Sequence, residues 1–147
     1  MGIYSTIACK NFQDGYNCAQ SVLLAFSEKI GLDKEKALML ASSFGGGMGR
    51  LREVCGAVSA MFMVAGFLKG YTSPADDIAK AGHYKLIQDL AEEFKSIQGS
   101  IICRELLGLE GKSPYIPSER TEEYYEERPC EHCIALAADI IEKELLK

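Results

Sequence analysis

The sequence of 147 residues contains no tryptophan, only two histidines and four prolines, and no long apolar run. Its longest mostly apolar stretch, residues 57–68, is far shorter than the roughly 20 residues that cross a bilayer. The first residues lack the apolar stretch of a secretory signal. The net charge is −5 and lysine and arginine form no run, which argues against nucleic acid or an anionic membrane surface as a partner. These absences predict a cytoplasmic protein that binds neither nucleic acid nor membrane.

The sequence also lacks the period-two alternation of β-strands and any internal repeat. Instead, apolar residues recur every three or four positions between capping residues and glycines. The length and the 48% hydrophobic content suit one apolar core. We therefore predict an all-α fold over residues 1–147: a single-domain bundle of about five to seven helices around a buried apolar central helix, residues 54–68.

Cysteine, in contrast, is abundant, and four of the six cysteines fall at predicted helix starts: Cys18, Cys55, Cys103 and Cys130. A helix begins with unpaired N–H groups and the positive end of its dipole. A thiolate there is stabilised, so its pKa falls and it becomes a better nucleophile or metal ligand. Since a reducing compartment disfavours permanent disulfides, we expect these four thiols to converge on one redox-active site.

The remaining cysteines and the histidines are weaker candidates. Cys130 and Cys133 form a C-x-x-C pair, but a thioredoxin motif belongs beside a βαβ unit, and a structural zinc site needs a second pair of ligands. Ile134 follows Cys133, so the haem-attachment sequence C-x-x-C-H is missing and no c-type haem is expected. Cys133 is either a resolving thiol or a packed residue, Cys9 is interpreted as packing, and neither histidine has a catalytic setting.

The sharpest break in the chain is a glycine loop, residues 45–49. It lacks both the Gly-Lys-Ser/Thr of a P-loop and the G-x-G-x-x-G spacing of a dinucleotide site. Gly46, Gly47 and Gly49 are candidate cofactor-binding residues, because glycine permits close backbone approach and leaves N–H groups free to bond sulfur or an anion. A plain flexible connector is the alternative interpretation.

Taken together, the motifs resemble the C_GCAxxG_C_C family of redox-active proteins, which is named for its cysteine pattern. The resemblance covers almost the whole chain in order and runs through residues 15–20, 44–49, 55–58 and 103–108, and then Cys130 with Ala137 and Ala138. It implies that the family's four shared cysteines are Cys18, Cys55, Cys103 and Cys130, with Cys9 and Cys133 as extras.

Two features depart from the family's name. It spells Gly-Cys-Ala where this chain has Cys55-Gly56-Ala57, and Ala60 stands in place of the closing glycine. The family is also similar to a domain of split-Soret cytochromes, which holds haem and an iron–sulfur centre. Because the haem-attachment sequence is missing here, the resemblance implies only sulfur-based chemistry.

Three hypotheses for the function follow. In the first, the four thiolates ligate an iron–sulfur cluster that transfers electrons to an unknown redox partner, although their spacing is wider than in ferredoxins. In the second, the same cysteines cycle between dithiol and disulfide, with a low-pKa Cys18 or Cys55 as the catalytic thiol. In the third, the chain is a helical interaction domain with buried cysteines. The sparse charge around the central helix would permit a homodimer. The sequence does not decide whether residues 109–128 are ordered or whether they act as a cover over the site.

Overall fold

The computed structural model describes residues 2–147, and over this range eight α-helices are joined by short connections. The helices are α1 Ile3–Gln13, α2 Cys18–Phe26, α3 Lys34–Ala41, α4 Gly56–Lys69, α5 Asp77–Gln98, α6 Cys103–Leu107, α7 Glu122–Glu127 and α8 Cys130–Leu145. The all-α prediction is confirmed. The count is slightly above the predicted five to seven, because α6 and α7 are separate helices of only five and six residues.

Helix α4 is the buried centre of the bundle, as its apolar sequence predicts. Helices α2 and α8 pack against it, α1 packs against both of these, and α3 and α5 lie further out, on α2 and α8. Val58, Met61 and Val64 of α4 are fully buried. Small residues at its start, Ala57 and Ala60, allow the neighbouring backbones to approach closely.

The four predicted helix starts are present, and each carries its cysteine at or next to the first helical residue. Cys18, Cys103 and Cys130 are the first residues of α2, α6 and α8, and Cys55 is the N-cap of α4. At α2 the local cause is visible. The Asn17 side chain accepts a hydrogen bond from the backbone of Gln20 at 2.8 Å, and the Gln20 side chain accepts one from the backbone of Asn17 at 3.2 Å. This capping box fixes where α2 begins and thus where its cysteine lies.

The glycine loop between α3 and α4 is the most strained part of the backbone. Six residues in this loop and directly after it have φ between 62° and 70°, in the left-handed region: Gly46, Gly47, Met48, Gly49, Arg50 and Arg52. Residues with a Cβ atom lose roughly 1–2 kcal/mol there. Three such residues in one loop persist only because the surrounding contacts determine the backbone.

A single antiparallel bridge connects the start of α4 to the start of α6. It pairs Val54 with Ile102. The Cys55 N–H donates to the Ile101 carbonyl at 2.8 Å, and the Cys103 N–H donates to the Glu53 carbonyl at 2.6 Å. The bridge thus holds two of the four predicted cysteines side by side.

Membrane insertion was not expected from the sequence. Among residues 2–147, no helix combines the length and the apolar character that crossing a bilayer requires.

Candidate functional site

One cavity is lined by all four cysteines that the sequence singled out, and by Cys133 as well. Its volume of about 60 Å³ exceeds the about 10–15 Å³ that one water molecule needs. It is formed where the starts of α2, α4, α6 and α8 meet. Cysteines that are dozens of residues apart in sequence therefore share one small enclosed space.

Cys18 lies where α2, α4 and the glycine loop meet. The backbone N–H groups of Gly46 and Ala19 lie near its sulfur and act to lower the pKa of the thiol. The first residue of α4, Gly56, has no side chain, and a Cβ atom built there would overlap the Cys18 sulfur. The Cys18 thiol consequently lies between the N–H groups of Gly46 and Ala19 and the backbone of Gly56.

The expected lowering of the thiol pKa values at these helix starts is wrong. The pKa of Cys18 is raised to about 11, first by burial and then by the nearby Cys55. The pKa of Cys130 is raised to about 12 by burial and by Cys18, Cys55 and Cys103. The N–H groups of Gly46 and Ala19 lower the pKa of Cys18, and the charge of Arg128 lowers that of Cys130, but the loss of solvent around a charged sulfur has the larger effect on both. Without a bound cation, all four thiols are therefore protonated at neutral pH.

Cys133 is a closer neighbour of the site than the sequence indicated. Its thiol lies beside that of Cys55, and the interaction between them is the largest cause of the strongly raised pKa of Cys55, ahead of burial. Cys133 is 2% exposed and lies one helical turn after Cys130. The i, i+3 spacing of the C-x-x-C pair places both side chains on one face of α8, and this was the available signal.

Cys103 is paired with an arginine that sequence analysis missed. The Arg52 side chain is 2% exposed, and its Nη1 donates to the Cys103 sulfur at 3.5 Å. Its Nε donates to the Ser113 hydroxyl at 2.9 Å. Burial raises the pKa of Cys103, and the hydrogen bond and charge of Arg52 oppose that increase. Arg52 and Cys103 are far apart in sequence, so no local pattern predicts their contact. The one available signal was that Arg52 comes just after the glycine loop, which was itself a candidate part of the site.

The three glycines predicted to bind a cofactor have different surroundings. Gly46 lines the thiol cavity, and its N–H lies near Cys18 and acts to lower the pKa of that thiol. A Cβ atom at Gly47 would lie 2.5 Å from the Cβ of Cys103 and 2.9 Å from the Cα of Arg52. Gly49 is exposed and does not line the thiol cavity. A Cβ atom there would meet only the Ser43 carbonyl, at 3.8 Å. The loop therefore approaches the thiols through Gly46 and Gly47.

Residues 109–128 lie against the site and are anchored by arginine. Arg120 donates to the carbonyls of Phe12 and Tyr16 at 2.7 and 2.8 Å and stacks on the Phe12 ring at 4.5 Å. Arg128 stacks on Tyr124, also at 4.5 Å. Since Arg120, Tyr124 and Arg128 all line the thiol cavity, this segment forms one of its walls.

Cys9 and the two histidines are not part of the cavity lining. The Cys9 thiol donates instead to the Glu131 carbonyl at 3.8 Å. All six cysteines within residues 2–147 are free thiols. In the same range, no group of three or more His, Cys, Asp or Glu side chains is placed to hold a metal ion.

Residues 16–144 match the model of a family described as "Putative redox-active protein (C_GCAxxG_C_C)". The chain belongs to the C_GCAxxG_C_C family. This confirms the resemblance inferred from the motifs, and the matched range contains all four cysteines that line the cavity together with Cys133. As a member of the C_GCAxxG_C_C family, the chain is assigned to a cysteine-containing redox-active group. The chain matches no curated protein and no solved structure.

Proposed function

We propose that this C_GCAxxG_C_C protein is a small electron carrier in which Cys18, Cys55, Cys103 and Cys130 ligate an iron–sulfur cluster. The observation that carries the proposal is that four cysteines from four separate helix starts line one cavity. Packing alone gives no reason for buried cysteines to gather at helix N-termini. Four thiolates are the usual ligand set of such clusters.

The residues present fit a cluster better than they fit a single ion. The donors are sulfur, which suits iron–sulfur clusters and soft metals. Within residues 2–147, no group of three or more His, Cys, Asp or Glu side chains is placed to hold a single ion. Cys18, Cys55, Cys103 and Cys130 would hold a cluster, which would offer more than one iron atom for the four thiolates to share.

The chain's own residues supply the environment that such a centre requires. The N–H groups of Gly46 and Ala19 lie near the Cys18 sulfur, and Arg52 donates to Cys103. Hydrogen bonds to sulfur and nearby positive charge stabilise thiolates and tune a reduction potential. A bound cluster would supply one-electron transfer. Because burial keeps the free thiols protonated, ligation releases protons, and metal binding should strengthen as pH rises.

A second candidate is dithiol–disulfide exchange, which one observation favours. The thiols of Cys55 and Cys133 are neighbours that line the same cavity and interact with each other, which makes them the pair best placed to form a disulfide. The raised pKa values of Cys55 and Cys18 count against this function, since the thiolate is the attacking species. We therefore rank it second, ahead of an interaction domain whose cysteines are merely packed.

Anaerobic expression with iron, followed by iron, sulfide and absorption analysis, tests the proposal. A cluster predicts a brown protein containing both iron and acid-labile sulfide, and loss of most of both in Cys18→Ser and Cys103→Ser. Cys9→Ser is the matched control, because Cys9 is also buried but lies outside the cavity. It should retain the metal.

Other results would replace the proposal. A colourless, metal-free protein that forms a Cys55–Cys133 disulfide on mild oxidation would establish dithiol chemistry. Metal-free protein whose thiols react only after unfolding would indicate the interaction domain.

The setting of the protein is part of the same proposal. We place it in the cytoplasm, because six free thiols suit a reducing compartment. A redox partner that donates or accepts electrons is part of the proposal. A homodimer stays a prediction.

A further inference from the structure

A second cavity, of about 290 Å³, adjoins the thiol cavity and is lined by four arginines but by no aspartate or glutamate. The arginines are Arg50, Arg52, Arg120 and Arg128. They are four of the five in the sequence, in a protein whose net charge is −5. We call this cavity the arginine pocket. The two cavities share Asn17, Gly46 and Tyr124, as well as three of the arginines.

The four arginines have no carboxylate partner among residues 2–147. In that range the only arginine in an ion pair is Arg104, which pairs with Glu53 at 3.1 Å outside the pocket. The pocket arginines hydrogen-bond to neutral groups instead. Arg50 donates to the Pro114 carbonyl at 2.6 Å and to the Ser118 hydroxyl at 3.2 Å, and Arg128 donates to the same hydroxyl at 3.4 Å. Their positive charge is thus left without a negative counterpart.

Arg52 adds an independent sign that a group belongs in the pocket. Its side chain is 2% exposed and lines both cavities. Its Nη2 has no hydrogen-bond partner among the described residues. Leaving a buried charged donor unpaired is costly, and native structures rarely do so without a reason. The backbone at Arg52 is also held at φ 63°, so the loop maintains this position against its own conformational preference.

The guanidinium groups of the pocket also repel one another. The pKa of Arg50 is lowered, first by burial and then by the positive charges of Arg52 and Arg128, which disfavour a third positive charge beside them. Two of these residues, Arg50 and Arg128, share one serine hydroxyl. Several like charges gathered at one small site are favourable only when an anion lies between them.

We propose that the arginine pocket binds the oxyanion group, a carboxylate or a phosphate, of a small molecule held beside the thiols. Guanidinium groups present forked donors that match carboxylate and phosphate geometry. Arg50, Arg52 and Arg128 are the binding residues, with the Ser118 hydroxyl between two of them. Arg120 is committed to the carbonyls of Phe12 and Tyr16 and acts as a positioning residue for the pocket wall.

The inference goes beyond the proposed function and does not depend on it. The arginine pocket is defined by arginines and a serine, none of which is a proposed metal ligand. An oxyanion bound there would lie next to the cavity lined by the cysteines, because the two cavities share lining residues. A small molecule held in the arginine pocket by its oxyanion would therefore have its remaining atoms next to the thiols, whatever chemistry the thiols perform.

Titration calorimetry with inorganic phosphate and with acetate tests the proposal on the full chain. The protein is purified in a buffer free of both anions, and sodium chloride keeps the ionic strength constant. Saturable binding of at least one anion is expected, and the tighter of the two identifies the group. Arg50→Gln and Arg128→Gln should each weaken binding by about tenfold or more, as expected for loss of a charge-assisted hydrogen bond.

Arg104→Gln is the matched control, since it removes an arginine charge nearby but outside the pocket. It should change the affinity less than about twofold. The iron content of each variant is measured as well, so that loss of a cluster is not mistaken for loss of anion binding. Arg52→Gln is a secondary variant, because substitution of a buried residue is more apt to impair folding. Arg50 and Arg128 are partly exposed, so their variants should fold. Absence of saturable binding by both anions, or equal affinity in all variants, would overturn the proposal.

Discussion

Gly56, the first residue of the central helix, packs directly against the thiol of Cys18. A Cβ atom at Gly56 would overlap that sulfur and would also lie 2.8 Å from the Phe44 carbonyl and 3.1 Å from the Ala19 nitrogen. Two of these three neighbours are backbone atoms and cannot move aside easily. The distance between α4 and α2 is therefore set by the absence of a side chain at this position.

Gly56→Ala should destabilise the protein by about 1–3 kcal/mol, the usual effect of overpacking. The matched control is Gly66→Ala in the same helix, where a Cβ atom would meet nothing within 4 Å. Because alanine favours helix over glycine by about 1 kcal/mol, Gly66→Ala should be neutral or stabilising. Urea unfolding of both variants measures the difference. Equal effects would show that α2 and α4 are not in contact at Gly56.

Gly47 and Gly49 provide a second matched pair, because their φ values of 68° and 62° are nearly the same. Gly49→Ala should cost only the left-handed backbone strain, about 1–2 kcal/mol. Gly47→Ala adds a clash with Cys103 and Arg52, so it should be more destabilising and should displace Cys103. Thermal unfolding tests the first expectation and iron content the second. If Gly47→Ala retained full stability, the close approach of the loop to Cys103 would be wrong.

The metal-free protein should lose stability as pH rises above about 8.5, the pKa of an ordinary cysteine. The pKa values of Cys18 and Cys130 are raised to about 11 and about 12 in the folded state. Below about pH 8.5 both states keep the thiol protons, and the contribution is fully present. Above it the unfolded chain releases protons first, so the contribution falls as pH rises through the folded pKa values.

Urea unfolding of the metal-free protein between about pH 8 and pH 10.5 measures this loss. Tyrosine and lysine side chains titrate in part of the same range, so the informative quantity is a comparison. Cys18→Ser should show a shallower decline than the unmodified chain. An identical decline would mean that the Cys18 thiol is not shielded from solvent.

Arg120→Gln should loosen the wall formed by residues 109–128. It removes two hydrogen bonds from a charged group and the stacking on Phe12, and bonds of this kind contribute about 1.5–3 kcal/mol. Because Arg120→Gln removes a trypsin site, the assay uses a glutamate-specific protease. Its cleavage within 109–128 should become about tenfold faster or more. Lys112→Gln, an exposed residue of the same segment that is not a cleavage site of this protease, is the control and should change the rate little. Unchanged cleavage in Arg120→Gln would show that other contacts hold the wall.

The parts of the fold that were predictable from the sequence are those set by neighbouring residues. The capping box of Asn17 and Gln20 places Cys18 at a helix start, and the apolar run of α4 marks it as central. Such patterns act over three or four residues, so they are visible without a structure.

The features that were missed depend on residues distant in sequence or on competing effects of similar size. The contact between Arg52 and Cys103 and the anchoring of Arg120 on α1 cross most of the chain. The sign of the thiol pKa shifts depended on whether burial or the helix start had the larger influence. Burial prevailed because the four thiols lie in one small cavity, where Cys55 and Cys103 are buried and even the partly exposed Cys18 and Cys130 have lost most of the solvent around their sulfurs.

Residues 109–128 contribute a serine, a proline, two arginines and two tyrosines to the two cavities but no cysteine. The cysteines and this wall thus belong to separate stretches of the chain. Insertions or exchanges in that stretch would leave every sulfur in position while altering selectivity. Relatives of this protein are accordingly expected to diverge most between Gly108 and Pro129, each accommodating a different small molecule over an unchanged set of thiols.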